Sequence, residues 1–251
     1  MNAISYQLYS SRNFPPLDAT LQMLSRLGYA QVEGVDSMFA DGQAVEDLAA
    51  ALEANNLDMP TAHVGLAMLA HEPERVIEAA RRLGINVIIG PWVDAEDRPT
   101  DKAGWVAFGE KLAALGEPIW EAGIGFGWHN HDFEFAQLAN GEYPMDLILA
   151  GDERLLAEFD VAWIIKGGQD PVAWISKYAG RVIAAHIKDI APAGESLDED
   201  GWADVGHGTM DWDAIVPALE SAGVTYMVME HDNPSDDERF AKRSIATASR
   251  F

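Results

Sequence analysis

Side chains that can bind metals and transfer protons are concentrated in the stretch Trp128–Glu134, which reads WHNHDFE. It follows Gly123–Gly127, a glycine-rich apolar run typical of a buried strand. Imidazoles and carboxylates bind divalent metals through nitrogen and oxygen, and they also accept and return protons. The chain has no cysteine, so any metal must be held by His, Asp and Glu.

Most of the other apolar runs also end in ionisable groups, although each begins apolar. These groups are Glu33, His63, His129, Asp160, His186, Lys188, Asp189, Glu230 and His231. Charged groups in a core are costly unless they are paired or bound to metal, so their repeated placement at run ends indicates a site.

Eight such runs alternate with amphipathic segments along the chain, and several are continuous and β-branched, as in strands that are buried on both faces. They are Ile4–Tyr9, Ala30–Val35, Asp58–Val64, Asn86–Gly90, Ile124–His129, Leu156–Val161, Val182–Lys188 and Tyr226–Glu230. This rhythm predicts an α/β fold, a (β/α)8 TIM barrel in which residues 1–251 form a single domain. An open doubly wound sheet is the alternative, but the chain has no GxGxxG or GxxxxGK[ST] loop to support it.

Helical periodicity and the glycines that follow it predict the helices between these strands. The segments are Leu17–Leu27, Ala44–Asn55, Pro73–Leu83, Asp101–Glu121, Pro171–Ala179 and Trp212–Ala222. Segment Ala191–Thr209 is long, polar and irregular, and is either a flexible surface loop or a lid over the site.

Charge and hydropathy exclude two classes of partner. The chain has 41 acidic and 17 basic residues and a net charge of −24, which argues against nucleic acid binding. No apolar run approaches the length of a membrane span, and the first residues lack the pattern of a secretion signal. We therefore expect a cytoplasmic protein with a small-molecule substrate.

The strand-end groups fit an oxygen and nitrogen site for Mn²⁺, Co²⁺, Mg²⁺ or Zn²⁺. An ion with an open position polarises a substrate carbonyl and acidifies the neighbouring C–H, while a flanking carboxylate moves the proton. Isomerisation, epimerisation and β-elimination of water all pass through the resulting enediolate.

Five motifs, in order along the chain, resemble those of the sugar phosphate isomerase/epimerase superfamily, the xylose isomerase-like TIM barrels. They are GWHNHDFEF (Gly127–Phe135), FDVAW (Phe159–Trp163), AAHIKDI (Ala184–Ile190), DVGHGTMDW (Asp204–Trp212) and MVMEHD (Met227–Asp232). The resemblance implies one divalent metal ion, with manganese as the first expectation. In the family its ligands are a Glu, an Asp, a His and a Glu from strands 5 to 8.

Three of those positions correspond to Asp160, His186 and Glu230. Relatives have Glu-Asn-His where this chain has His129-Asn130-His131, so the strand-5 ligand is either Glu134 or His129, and Glu134 is favoured because it keeps a carboxylate. Glu134 and Glu230 are then the candidates for proton transfer.

Further roles are expected for residues near this set. Lys188 lies two residues after His186 on the same strand face, and is expected either to orient a substrate oxygen or stabilise the enediolate, or to form a salt bridge with Asp189 or another acid. The expected substrate contacts are Glu33, His63, His129, His131, Trp163 and His207.

The function that follows is a sugar isomerase or epimerase acting on a sugar, ketosugar or cyclitol. A dehydratase or lyase of the inosose or 3-keto-glycoside type and a non-catalytic sugar-binding protein are the alternatives. A phosphoesterase of the endonuclease IV type is disfavoured by the charge of −24. The resemblance also implies a homo-oligomer, either a dimer or a tetramer.

Overall fold

The computed structural model describes residues 3–39 and 41–251. Its strands are β1 Ile4–Gln7, β2 Gln31–Val35, β3 Asp58–His63, β4 Val87–Gly90, β5 Gly125–His129, β6 Leu156–Asp160, β7 Val182–Ile187, β8 Asp189–Ile190, β9 Trp202–Ala203 and β10 Tyr226–Met229. Eight of them form a closed barrel in the order β1-β10-β7-β6-β5-β4-β3-β2. Every neighbouring pair is parallel, so the predicted α/β barrel fold is confirmed.

The helices surround this barrel. They are α1 Leu17–Leu27, α2 Gly42–Asn55, α3 Leu66–His71, α4 Pro73–Leu83, α5 Lys102–Glu121, α6 Pro144–Leu149, α7 Val161–Lys166, α8 Pro171–Lys177, α9 Trp212–Ala222 and α10 Asp237–Ala248. Three of the predicted helices, α1, α4 and α9, have the predicted ends, and each is followed by a glycine in the left-handed region. Helices α3, α6, α7 and α10 were not predicted.

Alternate residues of each barrel strand point outward and pack against the helices. Trp128 of β5 is fully buried and makes an edge-to-face contact with Phe108 of α5, with 5.1 Å between the ring centroids. Phe126, two residues earlier, is also fully buried. None of the described helices combines the length and apolar character needed to cross a membrane.

The other set of alternate residues points into the barrel and changes character along each strand. In β6 the inward residues run from Leu156 to Glu158, and Asp160 is the last. An apolar layer that includes Val87 and Ala184 fills the lower part of the barrel. The ionisable residues follow it toward the carboxyl ends of the strands, where the layers of a barrel interior meet the mouth.

The segment after β7 is folded rather than irregular, because the Asp189 carboxylate holds its two ends. That carboxylate is fully buried, and it accepts hydrogen bonds from the amides of Ile190, Gly206 and Met210 and from Nε1 of Trp212. Strands β8 and β9 pair antiparallel within this segment. Residues 189–209 therefore form one side of the barrel mouth, and we call them the wall segment.

Candidate active site

A cavity of about 640 Å³ opens at the carboxyl ends of the barrel strands. Its lining comes from residues that follow different strands, so groups that are distant in sequence face one another, as expected for a barrel mouth. The ionisable groups and amide of this lining are Gln7, Tyr9, Arg12, Asp36, His63, His129, His131, Asp132, His186, Lys188, Asp200, Glu230 and Asp232. Some of them, together with carboxylates beneath them, form two clusters at different depths.

The mouth cluster consists of Asp160, Lys188, Glu230 and Asp232. Nζ of Lys188 lies 2.8 Å from Oε2 of Glu230 and 3.5 Å from Oδ2 of Asp160. It also donates a hydrogen bond to Asp232. Burial alone would lower the pKa of Lys188, but the three carboxylates raise it above its ordinary value. The three carboxylates therefore favour the charged form of Lys188.

Three buried atoms at this level have no regular hydrogen bond within the described chain, and the two carboxylate oxygens among them face the Lys188 ammonium. They are Oδ2 of Asp160, Oε2 of Glu230 and Nδ1 of His186, and the imidazole nitrogen lies 4.0 Å from each of the two oxygens. The other oxygen of Asp160 accepts hydrogen bonds from the amides of Ala162 and Trp163 at the start of α7, which fixes the direction of Oδ2. One imidazole nitrogen and two carboxylate oxygens are a ligand set that suits a catalytic divalent metal ion.

The carboxyls of this set hold their protons more strongly than ordinary acids. Burial, together with the negative charge of Asp232, raises the pKa of Glu230 to about 8. Burial also raises the pKa of Asp160, although Lys188 and His186 oppose the increase. Such a carboxyl can exchange a proton near neutral pH.

The floor cluster lies one layer deeper and consists of Glu33, His63, His129 and Glu158. Oε2 of Glu158 lies 2.6 Å from Nε2 of His63 and 3.0 Å from Nδ1 of His129. Oε1 of Glu33 lies 3.3 Å from Nε2 of His63 and accepts a hydrogen bond from Nε2 of Gln7. Both carboxylates are fully buried.

The two carboxyls of the floor cluster are affected differently by their surroundings. Burial raises the pKa of Glu158 well above its ordinary value, and the negative charge of Glu33 adds to the increase. Burial also acts to raise the pKa of Glu33, but His63 and His186 outweigh it and lower that pKa to about 2. Burial lowers the pKa of His63 to about 4.

His186 lies between the clusters and faces both of them. Its Nε2 is 2.7 Å from Oε1 of Glu33 and 3.2 Å from Oε2 of Glu158, whereas its Nδ1 faces Asp160 and Glu230. The ring is parallel to that of His63, with 5.3 Å between the centroids. One imidazole therefore contacts both layers.

Aromatic side chains form the wall of the cavity above the clusters. Trp163 and Trp202 pack edge to face, with 4.9 Å between their centroids, and Nζ of Lys188 lies 4.1 Å from the Trp202 ring. The His131 ring lies 5.4 Å from that of Trp163, and Trp92, which is 43% exposed, packs edge to face on His131 at 4.6 Å. Aromatic faces beside polar groups suit a ligand with an apolar and a hydroxylated face.

The structure does not bring Glu134 to either cluster. Its carboxylate is fully buried, with Oε1 accepting a hydrogen bond from Nε1 of Trp128 and Oε2 from the amide of His131. Burial raises the pKa of Glu134 to about 7. Both oxygens of Glu134 thus already accept hydrogen bonds, and Glu134 is not part of the cavity lining. His129, the alternative strand-5 candidate, does line the cavity.

Of the other predicted site residues, all but His207 line the cavity or contact its lining. Those that line the cavity are His63, His129, His131, Trp163, His186, Lys188 and Glu230, and Glu33 and Asp160 lie directly against them. His207 is exposed and outside the cavity lining, because its amide bonds to the Asp204 carbonyl in a turn within the wall segment.

Sequence reasoning did not assign roles to Gln7, Glu158, Asp232 or Trp202, all of which contact the clusters or line the cavity. For Glu158 a signal exists, since it lies two residues before Asp160 and must share its strand face. Asp232 lies beyond the end of β10, where strand alternation no longer applies.

Comparison with known proteins gives one family. A family model described as a xylose isomerase-like TIM barrel matches residues 21–250. The rhizopine catabolism protein MocC of Rhizobium meliloti is 31% identical over 87 residues, which cover 34% of this chain and only 26% of MocC.

Solved structures superpose over nearly the whole chain. A sugar phosphate isomerase/epimerase from Parabacteroides distasonis has a TM-score of 0.80 at 22% identity, over 98% of this chain and 92% of that protein. The IOLI protein, whose crystal structure contains a zinc atom, has a TM-score of 0.78 at 14% identity, over 100% of this chain and 97% of that protein. At these identities the two structures show a shared fold.

Proposed function

The chain belongs to the xylose isomerase-like TIM barrel family, and we propose that it is a divalent-metal-dependent isomerase or epimerase of a sugar, ketosugar or cyclitol. The observation that carries this proposal is the convergence of three buried atoms, Oδ2 of Asp160, Nδ1 of His186 and Oε2 of Glu230, with the imidazole nitrogen 4.0 Å from each of the two oxygens. A three-ligand site with an open position is the arrangement of catalytic metals. The names of the similar isomerase/epimerase and zinc-containing proteins agree with it.

We assign the metal to Asp160, His186 and Glu230 and leave out Glu134, because both oxygens of Glu134 are already hydrogen-bonded. When bound, the ion supplies a Lewis acid that polarises a substrate carbonyl. Manganese is the first ion to test, with cobalt, magnesium and zinc as alternatives, since two of the three ligand atoms are carboxylate oxygens.

The protein's own groups then position the substrate and move the proton. Glu230 is the candidate to take the proton from the carbon next to the carbonyl and return it, since its carboxylate lines the cavity beside Lys188. Lys188 presents a fixed ammonium to a substrate oxygen as negative charge develops there. Trp163 and Trp202 line the cavity, where they would cover the apolar face of the substrate ring and limit the access of water to it.

The catalytic assignment is tested by deuterium exchange, which detects proton removal even when no new sugar accumulates. Chelator-treated protein is reloaded with each metal and incubated in D₂O with a panel of ketoses and keto-cyclitols, and exchange next to the carbonyl is followed by NMR. We expect metal-dependent exchange with at least one member, and its loss in Glu230→Gln. The matched control is Glu220→Gln on the exposed face of α9.

Absence of exchange across the panel, or unchanged exchange in Glu230→Gln, contradicts the proposal. Loss of water from a substrate during the same experiment identifies the dehydratase or lyase alternative, because the same proton removal precedes elimination. Metal binding without any exchange favours the sugar-binding alternative.

A further inference from the structure

Four atoms at the base of the cavity form a closed quadrilateral in which nitrogen and oxygen alternate. Nε2 of His63 lies 2.6 Å from Oε2 of Glu158 and 3.3 Å from Oε1 of Glu33. Nε2 of His186 lies 3.2 Å from the same oxygen of Glu158 and 2.7 Å from the same oxygen of Glu33. Two ligands bound at right angles, each about 2.1 Å from one ion, are about 3.0 Å apart, which is the middle of this range.

Hydrogen bonds account for only part of this geometry. Each Nε2 carries at most one proton, so each can serve one carboxylate, and the two sides of 2.6 and 2.7 Å use both protons. The 3.2 Å contact between His186 and Glu158 and the 3.3 Å contact between His63 and Glu33 then have no proton between nitrogen and oxygen. A fifth atom, Nδ1 of His129, lies 3.0 Å from Oε2 of Glu158.

The partners of the two floor carboxylates that can carry positive charge are imidazoles. Glu33 and Glu158 are fully buried, and across residues 3–39 and 41–251 neither forms an ion pair with a Lys or Arg side chain. Lys188 serves the mouth cluster instead, through Asp160, Glu230 and Asp232. Buried carboxylates are stable only when they are neutralised or bound to metal.

Each carboxylate in addition has an oxygen with no partner. Oε2 of Glu33 and Oε1 of Glu158 are buried and accept no hydrogen bond. A carboxylate that binds an ion through both oxygens would satisfy them. His63 and His129 line the cavity above the two acids, so the floor cluster borders the cavity.

From these observations we infer that the floor cluster binds a second divalent cation, held by Glu33, His63, His129 and Glu158, with His186 offering Nε2 to it and Nδ1 to the mouth site as an imidazolate whose N–H proton is released to solvent when both ions bind. The proposed function needs only the metal at Asp160, His186 and Glu230, so this ion is additional to it. Because three imidazoles surround the floor position, it selects a transition metal such as Zn²⁺, Co²⁺ or Mn²⁺ over Mg²⁺.

The test is the number of ions per chain. Protein stripped by chelator is equilibrated with Zn²⁺ or Mn²⁺ alone, and bound metal is measured by dialysis and mass spectrometry. We expect two ions in the wild type, one in Glu158→Gln or Glu33→Gln, one in Glu230→Gln and none in Glu158→Gln/Glu230→Gln. The control Thr61→Val changes a buried β3 residue outside both clusters and should keep two ions.

A second readout is the EPR spectrum with Mn²⁺, because two ions joined by one imidazole are spin-coupled. We expect a coupled spectrum in the wild type and an uncoupled one in each single variant. Where Glu158→Gln does not fold, the wild-type ion count and spectrum decide the matter without it.

A single ion that is lost in Glu230→Gln and retained in Glu158→Gln overturns the inference and leaves the proposed function standing. A single ion that is lost in Glu158→Gln and retained in Glu230→Gln contradicts the metal site of the proposed function instead. Two ions in Glu158→Gln or Glu33→Gln also contradict the inference, because they place the second ion elsewhere.

Discussion

Nζ of Lys188 lies 2.8 Å from Oε2 of Glu230, one of the three atoms assigned to the metal, and the Lys188 side chain is only 1% exposed. The same ammonium lies 3.5 Å from Oδ2 of Asp160. Two of the proposed ligand atoms thus face a cation that the protein itself supplies. The ammonium stabilises these buried carboxylates, and it would compete for them with the proposed metal.

Lys188→Met is therefore expected to bind divalent metal more tightly and to be less stable without it. Removing the charge leaves Asp160, Glu230 and Asp232 uncompensated, and breaking a buried ion pair in this way costs about 3–5 kcal/mol. Thermal denaturation of the metal-free and metal-loaded forms checks this, and the rise in melting temperature on metal addition should exceed that of the wild type.

Lys166→Met is the matched control, because Nζ of Lys166 also lies over the Trp202 ring, at 3.4 Å, but pairs with no mouth carboxylate. It should keep the metal-induced shift of the wild type. Equal or weaker metal binding in Lys188→Met would show that the ammonium does not compete for the ligand oxygens.

Glu134 should make the stability of the metal-free protein fall as pH rises. Its pKa is raised by burial from 4.5 to about 7, so between these pH values the folded state keeps a proton that the unfolded state loses. The unfolding free energy then decreases by up to about 1.4 kcal/mol per pH unit across this window, and the loss is complete above about pH 7.

Glu134→Gln removes this contribution, because an amide does not titrate. Urea denaturation at pH 5 and pH 8 should show a smaller decrease in stability for the variant than for the wild type. The exposed control Glu220→Gln should behave as the wild type does. Identical decreases in Glu134→Gln and the wild type would mean that Glu134 is ionised throughout.

Gly208→Ala should destabilise the wall segment beside the mouth. A Cβ at Gly208 would overlap with Oδ1 of Asp189 and with the carbonyl oxygen of Ile190, the two groups that hold this segment to the barrel. Overpacking of this kind costs about 1–3 kcal/mol, to be measured by urea denaturation. Gly42→Ala at the start of α2 is the control, because nothing lies within 4 Å of the added Cβ.

Arg239 should stabilise the protein far more than Arg26, although both guanidiniums form ion pairs involving α10. Arg239 lies 2.8 Å from Glu199 and 3.0 Å from Asp204, whose side chain is 2% exposed. Arg26 pairs with Glu238 at 2.7 Å, and these side chains are 60% and 56% exposed. We expect Arg239→Met to cost about 3 kcal/mol and Arg26→Met less than about 1 kcal/mol. Similar losses of unfolding free energy in urea would contradict this.

The sequence revealed the barrel because buried strands and amphipathic helices impose periodic patterns that can be read directly. Helices α6 and α7 have six residues each, which is too short for a helical period to be recognised. The wall segment has no period of its own because its structure depends on one distant carboxylate, that of Asp189. Such a contact is visible only once the chain is folded.

The site was predicted best where strand alternation applies. Asp160, His186 and Glu230 were identified from their positions at strand ends, and they are brought together. Glu134 follows β5 in a turn of 3₁₀ helix, Phe133–Phe135, which directs its carboxylate toward Trp128. Sequence spacing does not specify the direction of a side chain outside regular secondary structure, so this placement could not be inferred.

The position of His186 between Glu33 on one side and Asp160 and Glu230 on the other has a consequence for coupling. A neutral imidazole has one N–H, so its two tautomers present a donor to one side and a lone pair to the other. Whatever binds at the mouth selects the tautomer, and thereby fixes which hydrogen bonds the base of the cavity can form. An occupant that takes the Nδ1 lone pair leaves the proton on Nε2, facing Glu33, and ions bound at both depths require that this last proton leave.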